Sequence, residues 1–224
     1  MTPGATPVPL GYRSDQLEGW PDLVAPTRAE ITSAVLALHR AGVAALAVDP
    51  AEVAPARDLL GTSPIAVVAL VSAPLGAMTS GSRIAQAELA LADGADELAV
   101  AMDPSLVRSG KLGRAVAELS PLRRLAEGRT LRVICHLALL GPDLGAEAAA
   151  GAVDGGADLI MTNSHFDGEV TVEQVATVRR RVGQRIPLVA SGGVAATSQA
   201  APLLLAGATR VAVGWSGFPL EPHS

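Results

Sequence analysis

The chain has 224 residues, of which 49% are hydrophobic and 17% charged. That length suits one α/β barrel or one open α/β sheet around a single core, and the composition excludes a disordered chain. The formal charge is −5, and the only basic cluster, Arg179-Arg180-Arg181, reads as a solvated helix end, so nucleic acid is not an expected partner.

Residues 1–19 are rich in Pro, Gly and Thr without periodicity and read as an irregular arm. Pro21-Asp22-Leu23-Val24 is a short strand candidate. Thr27 with Glu30 forms a capping box, and Ile31, Val35 and Leu38 recur at helical spacing up to Gly42. An apolar strand over Val43–Val48 ends at Asp49-Pro50. The alternation then repeats. A helix from about Ala51 to Leu60 precedes a strand from Ile65 to Val71, which ends at Ser72. A helix from about Gly81 to Ala92 precedes a strand from Glu97 to Met102, which ends at Asp103-Pro104. A helix over about Lys111–Ala126 leads to a strand at Leu131–Leu137. A helix from about Leu144 to Val153 leads to Ala157–Ile160, where an apolar run breaks into Met161-Thr162-Asn163-Ser164. A helix over Val172–Val182 leads to Ile186–Ala190 and then Ser191-Gly192-Gly193. Thr197 or Ser198 caps a helix that ends at Gly207. Thr209–Val213 is the last strand and runs into Gly214-Trp215-Ser216-Gly217.

Continuous apolar strands separated by helices make a parallel sheet covered on both sides. The regular repeat predicts an α/β fold of (β/α)8 TIM-barrel type over residues 20–217, with a truncated last helix and a tail over 218–224. No Gly-x-Gly-x-x-Gly follows the first strand, which counts against a dinucleotide fold, and no organic cofactor is expected. In a barrel, chemistry sits where strands end. Those ends carry Asp22, Asp49, Ser72, Asp103, His136, Asn163, Ser164, Ser191 and Ser216.

The chain has one cysteine, Cys135, which excludes an intramolecular disulfide and a cysteine-based zinc site. No signal-like segment opens the chain and no apolar run approaches membrane length, so a cytoplasmic protein away from membranes is the expectation. Lys111 is the sole lysine among sixteen arginines, so Schiff-base chemistry has one candidate, and its place near a helix start favours a solvated role.

Four landmarks in this order and spacing resemble the deoxyribose-phosphate aldolase family, class I aldolases on a (β/α)8 barrel. They are Gly94-Ala95-Asp96-Glu97-Leu98, Arg132-Val133-Ile134, Gly156-Ala157-Asp158-Leu159-Ile160 with Thr162, and Ala190-Ser191-Gly192-Gly193-Val194. The resemblance spans about Leu23 to Ser216. It implies a Schiff-base lysine in a Lys-Thr-Ser-Thr-Gly motif, which here reads Met161-Thr162-Asn163-Ser164-His165. The second lysine, before the Ala-Ser-Gly-Gly turn, corresponds to Val189, the proton-relay aspartate to Ala99, and a barrel-top cysteine to Ala47. Methionine, valine and alanine cannot act as nucleophile or base, so an enamine mechanism is excluded at these positions. The resemblance also implies a phosphate held by backbone N–H groups at Gly192-Gly193, preceded by Ser191, and at Gly214-Trp215-Ser216. Ser164 belongs to the same expected substrate site, and Trp215 could instead fill the pocket.

Strand alternation puts Arg132 and His136 on one face and Glu97 and Asp103 on one face. The site expected from this is His136 as general acid or base oriented by Asp103, Arg132 as a holder of carboxylate or phosphate, and Asn163 polarising a carbonyl. Against it stand plainer readings: Asp103 caps the turn before Pro104, and His136 is a bonded interior histidine. His165 and Asp167, with His136, could form a metal site, but His165-Phe166-Asp167-Gly168 reads more simply as an exposed turn and no metal is expected. Cys135 should be a buried, inert thiol. The expected function is that of an aldolase-like enzyme, in the lyase class, doing lysine-free carbonyl chemistry (aldol or retro-aldol, cyclisation or enolisation) on a small oxygenated substrate that could carry phosphate. The alternative is a catalytically inactive homologue that binds a sugar phosphate or a protein. The short tail would leave apolar surface around Val211 and Val213, which a second subunit could cover in a homodimer.

Overall fold

The computed structural model describes residues 11–23 and 25–218. The remainder of the arm at 1–10, Val24 and the tail at 219–224 lie outside the described residues. Eight parallel strands close into one barrel in sequence order: β1 Leu17–Trp20, β2 Ala45–Val48, β3 Ala66–Val71, β4 Glu97–Ala101, β5 Thr130–Ile134, β6 Leu159–Met161, β7 Leu188–Ala190 and β8 Arg210–Gly214. The ring closes where β1 pairs with β8, Leu17 opposite Val211 and Trp20 opposite Gly214. The (β/α)8 expectation is therefore met.

Around the barrel run α1 Arg28–Ala41, α2 Val53–Leu60, α3 Ser80–Ala92, α4 Pro104–Arg108, α5 Leu112–Ala117, α6 Leu119–Leu125, α7 Leu137–Asp154, α8 Val172–Val182 and α9 Ala200–Leu205. Local chemistry explains the boundaries. Thr27 accepts from the Glu30 N–H in a reciprocal box, Thr171 does the same with Gln174, and Gly42 ends α1 in the left-handed region. Outward strand residues such as Leu46, Val67, Val133 and Val211 are fully buried against the helices. Inward residues form a second, separate cluster that includes Trp20, Leu70, Ile134 and Met161. Two apolar shells, one between sheet and helices and one inside the ring, hold the fold together.

Four expectations are corrected. The first strand is Leu17–Trp20, inside the predicted arm, and not Pro21–Val24. Its pattern is hidden because the inward Glu18 is charged and the outward Gly19 has no side chain. A Cβ at Gly19 would collide with Leu38 of α1. The helix predicted over Lys111–Ala126 is two short ones, since Pro121 fits only the first turn of a new helix. The strand predicted to Leu137 stops at Ile134, because His136 takes φ 54° and turns the chain into α7. Finally, Val211 and Val213 are fully buried, with Phe218 in the same cluster, so they leave no apolar face for a second subunit.

Candidate active site

The inner surface of the barrel has three levels. At its lower end Arg132 is fully buried and donates from Nη1 to Glu18 at 2.6 Å and from Nε to Glu97, while Arg210 donates to Glu18 at 2.9 Å. Burial alone would raise the Glu18 carboxyl, but Arg132 and then Arg210 hold it below the usual carboxylate range. Arg132 is thus engaged by two of the chain's own carboxylates. In place of the expected substrate anion, Arg132 meets these carboxylates through Nε and Nη1, and its Nη2 is left without a partner among the described residues.

The middle level is apolar. Met161, Val189, Ala99 and Ala47 all belong to the inner apolar cluster and are at most 2% exposed. The four positions that the resemblance assigns to Schiff-base machinery do meet in the barrel, and they meet as hydrocarbon and thioether. Lys111 is exposed at the head of α5, one helix beyond the end of β4.

The upper level is the barrel mouth. Asp103 accepts from the Ser105 N–H at 2.8 Å as the cap of α4, so it does not orient His136. The carboxylate that meets His136 Nδ1 is Asp167, and both side chains are at most 1% exposed. Asp167 and His165 are therefore not an exposed turn. The His165 ring stacks on Trp20, with centroids 5.9 Å apart and planes at 21°. Burial pushes the His165 imidazole down to about 4, against the opposing pull of Asp22, the Ala212 backbone and Asp167. His136 Nε2, His165 Nε2, Asp167 Oδ1 and the Trp215 indole N–H are buried without a partner among the described residues. Among those residues no group of three potential metal ligands gathers. Cys135 is fully buried and its thiol is pushed up to about 12.

Other strand-end groups bind the loops together. Asn163 accepts from the Ala138 N–H at 2.8 Å, which ties β6 to the first turn of α7, and its amide is 3.5 Å from Gln174. Ser191 donates to the Asn163 carbonyl at 2.6 Å and its N–H donates to Thr162 at 2.8 Å. Asn163 Oδ1 is thus engaged by the backbone, and among the described residues its amide nitrogen makes only the long contact to Gln174. Ser72 is buried under Gln86.

The two glycine turns also differ from expectation. Ser216 gives both its N–H, at 3.3 Å, and its hydroxyl to Asp22, and Gly214 packs on the same carboxylate. That turn holds an anion, but the anion is the chain's own. Gly193, at φ 63°, packs on Glu169, Gly192 packs on Asn163, and the N–H groups of Ala195 and Ala196 both donate to Gln199 at 2.9 Å.

A cleft of about 90 Å³ opens between these loops, lined among others by Trp20, Leu70, Asp49, Glu52, Ser164, Phe166 and Trp215. That is room for a small ligand or a few waters. Ser164 and Phe166 flank His165 in the chain, so its imidazole lies one residue behind the cleft wall. The sequence reading groups Asp167 with His136 and His165 only as a potential metal ligand, and Trp20 escapes it. The available signal was composition: a chain with only two Trp places both at strand ends.

No family model matches the chain. Curated relatives do: the deoxyribose-phosphate aldolase of Micrococcus luteus is 33% identical over 194 residues, covering 83% of this chain and 85% of that one. The enzyme of the same name from Brevibacillus brevis is 32% identical over 165 residues, covering 73% and 75%. Among solved structures, "QR15, an Aldolase" superposes with a TM-score of 0.84 at 26% identity over 91% of each chain. A putative deoxyribose-phosphate aldolase from Coccidioides immitis gives 0.84 at 21% identity over 95% of this chain and 88% of that one. With the barrel, the landmark residues and these relatives in agreement, the chain belongs to the deoxyribose-phosphate aldolase family.

Proposed function

We propose that this family member is an enzyme that performs aldol-type carbonyl chemistry without a Schiff base, on a small oxygenated substrate at the barrel mouth. The observation that carries the reading is the His136–Asp167 pair. Asp167 engages Nδ1, so against a carboxylate Nδ1 carries the proton and the Nε2 lone pair is free. Buried polar atoms without partners are uncommon and point to a missing ligand or water.

In this mechanism Nε2 of His136 takes the proton from the carbon next to a carbonyl. The electron pair of that C–H bond moves onto the carbonyl as an enolate. In the aldol direction the enolate carbon bonds to an acceptor carbonyl carbon, and the imidazolium returns its proton to the new alkoxide. The reverse order cleaves the same bond. Ser164, whose hydroxyl accepts from the Phe166 N–H at 3.3 Å, lines the cleft and can donate to the enolate oxygen. Asp167 is the positioning residue that fixes the tautomer and offsets the imidazolium charge.

The test is hydrogen exchange. Acetaldehyde, glyceraldehyde and dihydroxyacetone, with and without phosphate, are incubated with the protein in D2O, and deuterium entry beside the carbonyl is followed by NMR. His136→Gln should lower exchange by about 100-fold or more. Borohydride added with the same compounds should leave the protein mass unchanged. Exchange that survives in His136→Gln, or a reduced adduct on Lys111, would sink the proposal. A second reading, a non-catalytic barrel that binds a sugar phosphate or a protein, has support in Asn163, Ser191 and Asp103, all engaged in internal bonds. It predicts no exchange with any compound.

A further inference from the structure

The chain contains two Trp, one Tyr and two Phe. Trp20, Phe166 and Trp215 line a cleft at the barrel mouth. The charged residues that line it are Asp49 and Glu52, and among the described residues no Lys, Arg or His does. Glu52 has a counter-ion in Arg28 at 2.5 Å. Asp49 makes no ion pair among the described residues and its side chain caps nothing, although it heads a short turn of helix. Desolvation, unopposed by any cation, holds its carboxyl above the usual range. Aromatic faces beside an unpaired carboxylate attract cations and repel anions.

The neighbouring turns agree. The Ser216 donors already hold the Asp22 carboxylate, and Glu169 packs on Gly193. A phosphate arriving at the Ser216 turn would meet a carboxylate in place of free N–H groups.

We propose that the cleft formed by Trp20, Phe166, Trp215 and Asp49 binds a small organic cation, an ammonium group of metabolite size, in place of the phosphate of the family's named substrate. This rests on the functional reading above only in taking the mouth as the place of substrate entry, and it makes the substrate an amine-bearing carbonyl compound. Binding can be tested without turnover. Both tryptophans of the chain border the cleft, so tryptophan fluorescence reports on this site.

The experiment titrates the full chain with choline, ethanolamine, neohexanol (the uncharged carbon isostere of choline) and inorganic phosphate. At least one cation should give a saturable fluorescence change, choline should bind about tenfold more tightly than neohexanol, and phosphate should give none. Asp49→Asn, which loses no capping bond, should weaken the cation by about tenfold while circular dichroism stays unchanged. Equal binding of choline and neohexanol, saturable binding of phosphate, or no saturable change with either cation would overturn the proposal. Cation binding without deuterium exchange would leave this inference standing and remove the enzymatic reading. Exchange without cation binding would do the opposite.

Discussion

The two ends of the barrel interior treat buried polar groups in opposite ways. At the lower end two carboxylates, Glu18 and Glu97, meet two guanidinium groups, Arg132 and Arg210. At the mouth, two imidazole nitrogens, one carboxylate oxygen and an indole N–H are buried with no partner among the described residues. Between them lies the apolar layer that contains Met161 and Val189. The difference separates two uses of buried polarity: in the lower set every carboxylate and guanidinium is paired with an opposite charge and only Arg132 Nη2 is left over, while the upper set leaves four polar atoms without a protein partner among the described residues.

Breaking the lower set should have the largest effect. Arg132→Met leaves Glu18 and Glu97 buried without their main partner and should cost roughly 3–5 kcal/mol in chemical unfolding. The same network gives an acid limb. The Glu18 carboxyl sits below its unfolded value, so its stabilisation is present above about pH 4.3 and is lost as pH falls through the lower folded value. In Arg132→Met that contribution should vanish from the stability-versus-pH curve. A variant as stable as the parent would show that the network adds nothing.

The next effect belongs to the mouth. His165 is held near 4 when folded and titrates near 6.5 when unfolded, so the unfolded chain binds the extra proton between these values. Stability should therefore fall as pH drops from about 6.5 to 4, by roughly 3 kcal/mol from this group. His165→Gln should flatten that part of the curve relative to the parent, and parallel curves would refute the assignment. Trp215→Phe removes a donor that has no protein acceptor, so the loss of stability should be that of the missing ring volume alone, about 1–3 kcal/mol. A loss well above that would reveal a bond to the indole and weaken the contrast between the two ends. The smallest signal is Cys135: with its thiol pushed up to about 12 and no exposure, it should react with a disulfide reagent at pH 8 only after unfolding.

Much of the fold was legible because buried parallel strands write themselves as apolar runs, as at Ala45–Val48 and Leu188–Ala190. The first strand was not, because Glu18 and Gly19 break the run for reasons three-dimensional in origin: a partner on β5 and a leucine on α1. The site was legible in part. Alternation along β5 placed His136 at the mouth, but the left-handed turn at His136 departs from that alternation and aims the ring at Asp167 and away from Asp103. Asp167 sits in a Phe-Asp-Gly turn, which carries every local signal of exposure, yet its side chain is 1% exposed against His136. Arg132, Asn163 and Asp103 were visible as polar residues at strand ends. Their partners were not, since those come from β1, α7 and the first turn of α4.

The central claim is that chemistry has left the barrel centre and resides at the mouth. One comparison tests it most directly: deuterium exchange into the best carbonyl probe by the parent, His136→Gln and Met161→Leu, the last a near-isosteric change within the apolar layer. Exchange should fall by about 100-fold or more in His136→Gln and stay within a few-fold of the parent in Met161→Leu. Loss of exchange in Met161→Leu with retention in His136→Gln would place the chemistry back in the barrel centre and contradict the account.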